Sequence, residues 1–91
     1  MPKTIWKFEL PPDGLISMPL GAQVLDVQIQ DDRPVMWALV DPDARCSVIR
    51  LALYGTGQTV PNRPGNYLGT FQQHGGALVW HVFSEYLTRV S

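Results

Sequence analysis

Val35-Met36-Trp37-Ala38-Leu39-Val40 is an unbroken apolar run between two turn signals, Asp31-Asp32-Arg33-Pro34 and Asp41-Pro42-Asp43. Read as a strand, the run points successive side chains to opposite faces. Val35, Trp37 and Leu39 then need one dry surface, and Met36, Ala38 and Val40 need another. A chain of 91 residues rarely covers both faces of a sheet alone. The run therefore predicts a β-sheet protein that wraps on itself as a sandwich or barrel, or that buries its second face against another copy of itself.

Upstream of the run, Leu25, Val27 and Ile29 are expected to face inward while Asp26, Gln28 and Gln30 meet water, with Val24 as the exception. The short Asp31–Pro34 connection predicts a hairpin into the apolar run, since sequential strands usually pair. Downstream, Asp41-Pro42-Asp43-Ala44 is a turn with Pro42 suited to its second position. Ser47 to Tyr54 follows as a strand, with Ile49, Leu51 and Leu53 on one side and Val48, Arg50, Ala52 and Tyr54 on the other. The stretch from Gly55 to Asn66 is too rich in Gly, Pro and Asn to be other than a loop, the longest in the chain. Two more strands, Tyr67 to Gln72 and Ala77 to Phe83, flank a hairpin candidate at His74-Gly75-Gly76. In the second of these, Ala77, Val79, His81 and Phe83 share one face, and Leu78, Trp80 and Val82 share the other.

At the amino end, Thr4 to Leu10 alternates Trp6, Phe8 and Leu10 against Ile5, Lys7 and Glu9, the pattern of an edge strand with one aromatic face. Pro11-Pro12-Asp13-Gly14 breaks the chain before a short strand at Leu15 to Met18. Glu85 to Val90 fits a strand extension or one helical turn. Regular spacing of turns and the absence of a helical period predict an all-β fold. The expectation is a small antiparallel sandwich or partly open barrel of about six to seven short strands, oligomeric, with residues 1–91 as one domain.

Composition narrows the function classes. A formal net charge of −1 offers no broad attraction for a nucleic-acid backbone, so a duplex-binding role is not expected. Cys46 is the only cysteine, which rules out an intrachain disulfide and a cysteine-based zinc site. With no apolar leader and no run long enough to span a bilayer, the chain is expected to be soluble and cytoplasmic, with no membrane partner.

Few residues point to chemistry. His74 and His81 have no carboxylate at metal-ligand spacing. His81, between Trp80 and Val82, reads as a core or interface histidine with one satisfied hydrogen bond, and His74 as an exposed turn residue. Cys46 has only Arg45 nearby to activate it, so a Cys46–His dyad is disfavoured. The acidic pairs Asp31-Asp32 and Asp41 with Asp43 lie in turns, where Asp bonds its own backbone. No catalytic residue, metal site or cofactor is expected. Gly55-Thr56-Gly57 has the small residues that let amides approach a phosphate, though a strand-end role explains it equally. The loop after it carries Gln58, Asn62, Arg63 and Asn66, and the aromatic residues Tyr54 and Tyr67 stand at its ends. The candidate ligand-binding residues are accordingly Tyr54, Gly55, Thr56, Gly57, Gln58, Arg63 and Tyr67.

Several segments stand together in order: Trp37-Ala38-Leu39-Val40-Asp41-Pro42, Tyr54-Gly55-Thr56-Gly57, and Gly75-Gly76-Ala77-Leu78-Val79-Trp80-His81-Val82-Phe83. With Thr4–Phe8, Met18–Gln30 and Leu68–Gln72, they resemble a family of small uncharacterised phage and bacterial proteins, a domain of unknown function. The family often has His where this chain has Gln58, and Phe where it has Trp80. A general-acid or metal role at position 58 could not operate here. The resemblance implies a phage or prophage origin, hence the host cytoplasm, and no established activity. The function expected is that of a non-enzymatic accessory binding protein, itself oligomeric, that sequesters a nucleotide-like signal of host defence. The alternatives are an inhibitor that docks on a host defence complex through an exposed edge such as Thr4–Leu10, and a structural accessory protein with no small ligand.

Overall fold

A computed structural model describes residues 2–86 and contains seven strands. They are β1 (Thr4–Glu9), β2 (Leu15–Pro19), β3 (Gln23–Gln30), β4 (Arg33–Val40), β5 (Cys46–Gly55), β6 (Asn66–Gln73) and β7 (Leu78–Tyr86). All pairing is antiparallel, in one sheet of order β1-β4-β3 and another of order β2-β5-β7-β6. The two sheets pack face to face as a sandwich that does not close into a barrel, with β3 lying against β6. Strand β1 is an edge, as its solvated alternation predicts. Glu85 and Tyr86 continue β7, so this part of the Glu85–Val90 segment is strand extension; the remainder falls outside the described residues.

The core is made where alternation delivers apolar side chains between the sheets. Met36, Ala38 and Val40 of β4 are fully buried against Val27, Met18, Ile49, Leu51, Phe71 and Val82. Gly69 lets the sheets meet closely: a Cβ there would lie 3.1 Å from Val27 Cγ2. The connection from one sheet to the other at Asp41–Ala44 is the expected turn, with the Ala44 amide donating to the Asp41 carbonyl at 3.1 Å and the Asp43 amide to Asp41 Oδ1 at 3.0 Å.

Two expectations are corrected. In β3 the register jumps between Val24, opposite Ala38, and Asp26, opposite Trp37, so Leu25 is an inserted bulge residue. Val24 packs on the core and Leu25 is 47% exposed, the reverse of simple alternation. The β3–β4 turn is also shorter than the four residues Asp31–Pro34. Gln30 pairs with Arg33, leaving a two-residue turn in which Asp31 and Asp32 both have positive φ, while Arg33 and Pro34 begin β4.

The second face of β4 is only partly dry. Val35 is 3% exposed, but Trp37 and Leu39 are half-buried on the outside of the three-stranded sheet. Lys7 on β1 donates to Gln30 on β3 at 2.8 Å, and the registers carry this bond across β4 at the level of Val35. Arg33 and Glu9 pair beside it at 3.5 Å. This polar strap covers Val35 without a second copy of the chain, so burial of that residue does not require the oligomer inferred from the run.

Candidate functional site

The outer face of the four-stranded sheet is where chemistry-bearing side chains gather. Alternation along β7 sends Val82 and Trp80 to the core and His81 and Phe83 to the opposite face. The register then aligns two rows across β5, β7 and β6. One row is Ala52, Phe83 and Tyr67; the next is Tyr54, His81 and Thr70.

Phe83 is the centre of an aromatic cluster. Tyr54 meets it edge-on at a centroid distance of 5.8 Å and Tyr67 at 5.5 Å, the geometry that aromatic quadrupoles favour. Tyr67 remains 59% exposed, so its ring is open to a ligand. Beside the cluster a concavity of about 330 Å³ is lined by Tyr54, Phe83, Arg50, Arg63 and Glu85, with Pro61 and Pro64 forming its loop wall. Arg50 and Glu85 approach to 3.9 Å, both about half exposed, a pair too solvated to neutralise the guanidinium strongly.

His81 is held between two hydroxyls. Its Nε2 is hydrogen-bonded to Thr56 Oγ1 at 2.8 Å and its Nδ1 to Thr70 Oγ1 at 3.0 Å, and the Thr70 hydroxyl is in turn bonded to that of Tyr67. Of the reading of His81 as a core or interface histidine with one bond, the core position and the single bond are corrected: it is half-buried on the outer face with both ring nitrogens engaged. A hydroxyl can donate or accept, so the chain of bonds fixes the ring orientation in either neutral tautomer.

A bulge makes this cluster possible. On β6 the register shifts between Tyr67, opposite Phe83, and Gly69, opposite Val82. The inserted Leu68 packs on the core, and both Tyr67 and Thr70 consequently fall on the outer face, three residues apart. Without it, one of the two would point inward.

The candidate residues named from sequence divide into two groups. Tyr54, Thr56 and Tyr67 are brought together on this face, and Arg63 shares the concavity with Tyr54. Gly55, Gly57 and Gln58 build the turn instead. Gln58 N–H donates to the Gly55 carbonyl at 3.0 Å, Gly55 N–H donates to Gln58 Oε1 at 2.8 Å, and Thr56 N–H donates to the Val79 carbonyl at 3.2 Å. Gly57 has φ +89, the third-position geometry of a turn that requires glycine. Three of the four amides from 55 to 58 are thus engaged internally, and the turn's service is to aim Thr56 at His81 rather than to cradle a phosphate. Arg50, expected with Arg63 as a phosphate contact, lines the same concavity, whereas sequence reasoning missed Thr70, His81 and Phe83 as members of the site. The alternation of β7 already grouped His81 with Phe83; nothing in the sequence marked the Leu68 bulge that adds Thr70.

Other nucleophile and metal arrangements are not assembled among the described residues. Cys46 and His81 lie eight positions apart along β5, given that His81 pairs with Tyr54, or roughly 26 Å at the usual rise per residue. No group of three or more His, Cys, Asp or Glu is placed to hold a metal among the described residues. No described helix is long and apolar enough to cross a membrane.

Fold and site together define a seven-stranded antiparallel β-sandwich with an aromatic and hydroxyl-rich outer sheet face. The chain belongs to the family described as a domain of unknown function (DUF7352), which matches residues 1–91. No curated protein and no solved structure matches it.

Proposed function

We propose that this chain is a non-enzymatic binding protein that takes a planar, anionic small molecule of the nucleotide type on the outer face of its four-stranded sheet. The observation that carries the reading is the Tyr54–Phe83–Tyr67 cluster, exposed at Tyr67 and bordered by Arg50 and Arg63 in one concavity. Aromatic side chains stack on bases without demanding a particular one, and guanidinium groups bind phosphate through paired N–H donors. His81 holds the Thr56 and Thr70 hydroxyls in place, and these hydroxyls would meet the ligand's polar edge. In a phage-encoded setting, such a protein would act in the host cytoplasm by sequestering a signal of host defence.

Calorimetry against cyclic nucleotides and ADP-ribose derivatives tests the reading. A ligand of this class should bind the wild-type chain. Tyr67→Ala should weaken it on the order of ten- to a hundredfold, the loss of one stacking contact, with the fold intact because Tyr67 is exposed. Arg63→Ala should weaken phosphorylated ligands more than nucleosides. Absence of binding by every nucleotide tested would overturn the proposal in favour of a protein target.

A further inference from the structure

The outward edge of β1 is a second recognition surface, on the other sheet from the aromatic face and independent of it. In the β1–β4 ladder the Leu10 amide donates to the Pro34 carbonyl at 3.0 Å, and the same register sets Phe8 opposite Met36, Trp6 opposite Ala38 and Thr4 opposite Val40. Antiparallel strands alternate the residues that bond a given neighbour. The even-numbered residues of β1 therefore direct their backbone groups at β4. The N–H and C=O groups of Ile5, Lys7 and Glu9 point away from the sheet.

The other three edges are blunted. Strand β3 is bulged at Leu25, and Asp26 Oδ1 accepts from the Val27 amide at 2.9 Å. Strand β6 is bulged at Leu68 and lies against β3. Strand β2 is five residues long and ends in Pro19. Among the described residues β1 alone offers six residues with neither bulge nor proline. An unprotected edge of this kind is a template for another strand.

We propose that the strand it takes is β1 of a second copy, paired antiparallel about a two-fold axis at Phe8. A two-fold axis perpendicular to the sheet keeps the outer face of both copies on one side, so odd residues must meet odd residues. Centring the axis on Lys7 or on Glu9 opposes like charges, centring it on Ile5 sets Lys3 against Lys7, and centring it on Trp6 pairs Glu9 with Lys3 of the partner subunit but leaves Lys7 facing Ile5. At Phe8 alone, Lys7 faces Glu9 of the partner subunit, twice by symmetry, through residues whose backbone groups are the outward-pointing ones; the ladder ends there, because Ile5 falls opposite Pro11 of the partner subunit, which has no N–H to donate. The inner face gains as well: Phe8 meets its symmetry mate, and Trp6, 39% exposed in the single chain, is set opposite Leu10 of the partner subunit. The product is a continuous six-stranded sheet.

Light scattering on the full chain and on charge variants tests both the pairing and its register. The wild-type mass should be twice the 10.2 kDa of one chain. Lys7→Glu and Glu9→Lys should each be monomeric while keeping a wild-type circular-dichroism spectrum, since both positions are exposed. An equimolar mixture of the two variants should recover the dimer mass, because each charge then faces its opposite. The Lys7→Glu/Glu9→Lys double variant should dimerise alone. A monomeric wild-type chain, a dimer that survives both single variants, or a mixture that stays monomeric would each overturn the proposal. A monomer that instead captures an extended strand of another protein would assign the same edge to a different partner and overturn it equally.

Discussion

Asp31 and Asp32 hold φ values of 52° and 63° at the tip of the β3–β4 hairpin. A two-residue hairpin turn needs this left-handed geometry at both positions, and Asn-Gly meets it with less steric cost than Asp-Asp. The two adjacent carboxylates also repel. Asp31→Asn combined with Asp32→Gly should therefore stabilise the fold by about 0.5–1 kcal/mol, seen as a higher urea midpoint at unchanged slope. A lower midpoint would mean that the carboxylates serve a purpose the hairpin does not reveal. At the same scale, Gly57 and Gln58 show how a motif can be read for the wrong chemistry. Small residues that would admit a phosphate are used here to close a turn, and the hydroxyl of Thr56 is what that turn delivers to the site.

At the level of elements, two bulges decide which residues face where. The Leu25 bulge reverses the expected roles of its neighbours, so Val24 contributes to the core and Leu25 to the surface. Leu25→Lys should change stability by no more than about 0.5 kcal/mol, whereas Val24→Lys should cost about 3 kcal/mol or more by placing an ammonium among core side chains. Chemical denaturation of the two variants checks the bulge directly. Equal losses would restore simple alternation. The Leu68 bulge shapes the candidate site in the same way, since it sets Tyr67 and Thr70 side by side against Phe83 and His81.

At the level of the whole molecule, the sandwich depends on how closely β3 can approach β6. Gly69 faces Val27 with 3.1 Å available for a Cβ, tighter than ordinary contact. Gly69→Ala should cost about 1 kcal/mol by pushing on Val27, and Val27→Ala about 2–3 kcal/mol by leaving a cavity. The double variant should lose less than the two losses added, because the new methyl enters the space the valine left. A strictly additive cycle measured by urea unfolding would show that the two sheets do not meet there. Spacing the sheets in this way leaves the aromatic face and the β1 edge on different sheets, so the ligand and the second strand proposed for them would not compete for one surface.

What the residues alone determined is the class of fold: alternation with period two, turn chemistry at Asp41–Asp43 and Gly75-Gly76, and two-sided apolar strands specify an antiparallel all-β domain because each is a local property of the chain, while the choice of a two-sheet sandwich over a partly open barrel rests on strand order. Tyr54, Thr56, Arg63 and Tyr67 were equally legible as a candidate surface, since they cluster near one long loop. Only the tertiary structure decided that His81, Phe83 and Thr70 join them, because strand order and register place residues from β5, β6 and β7 in adjacent rows. The two bulges were invisible for the same reason: an inserted residue is defined by the partner strand opposite it, and a single chain read in order has no partner.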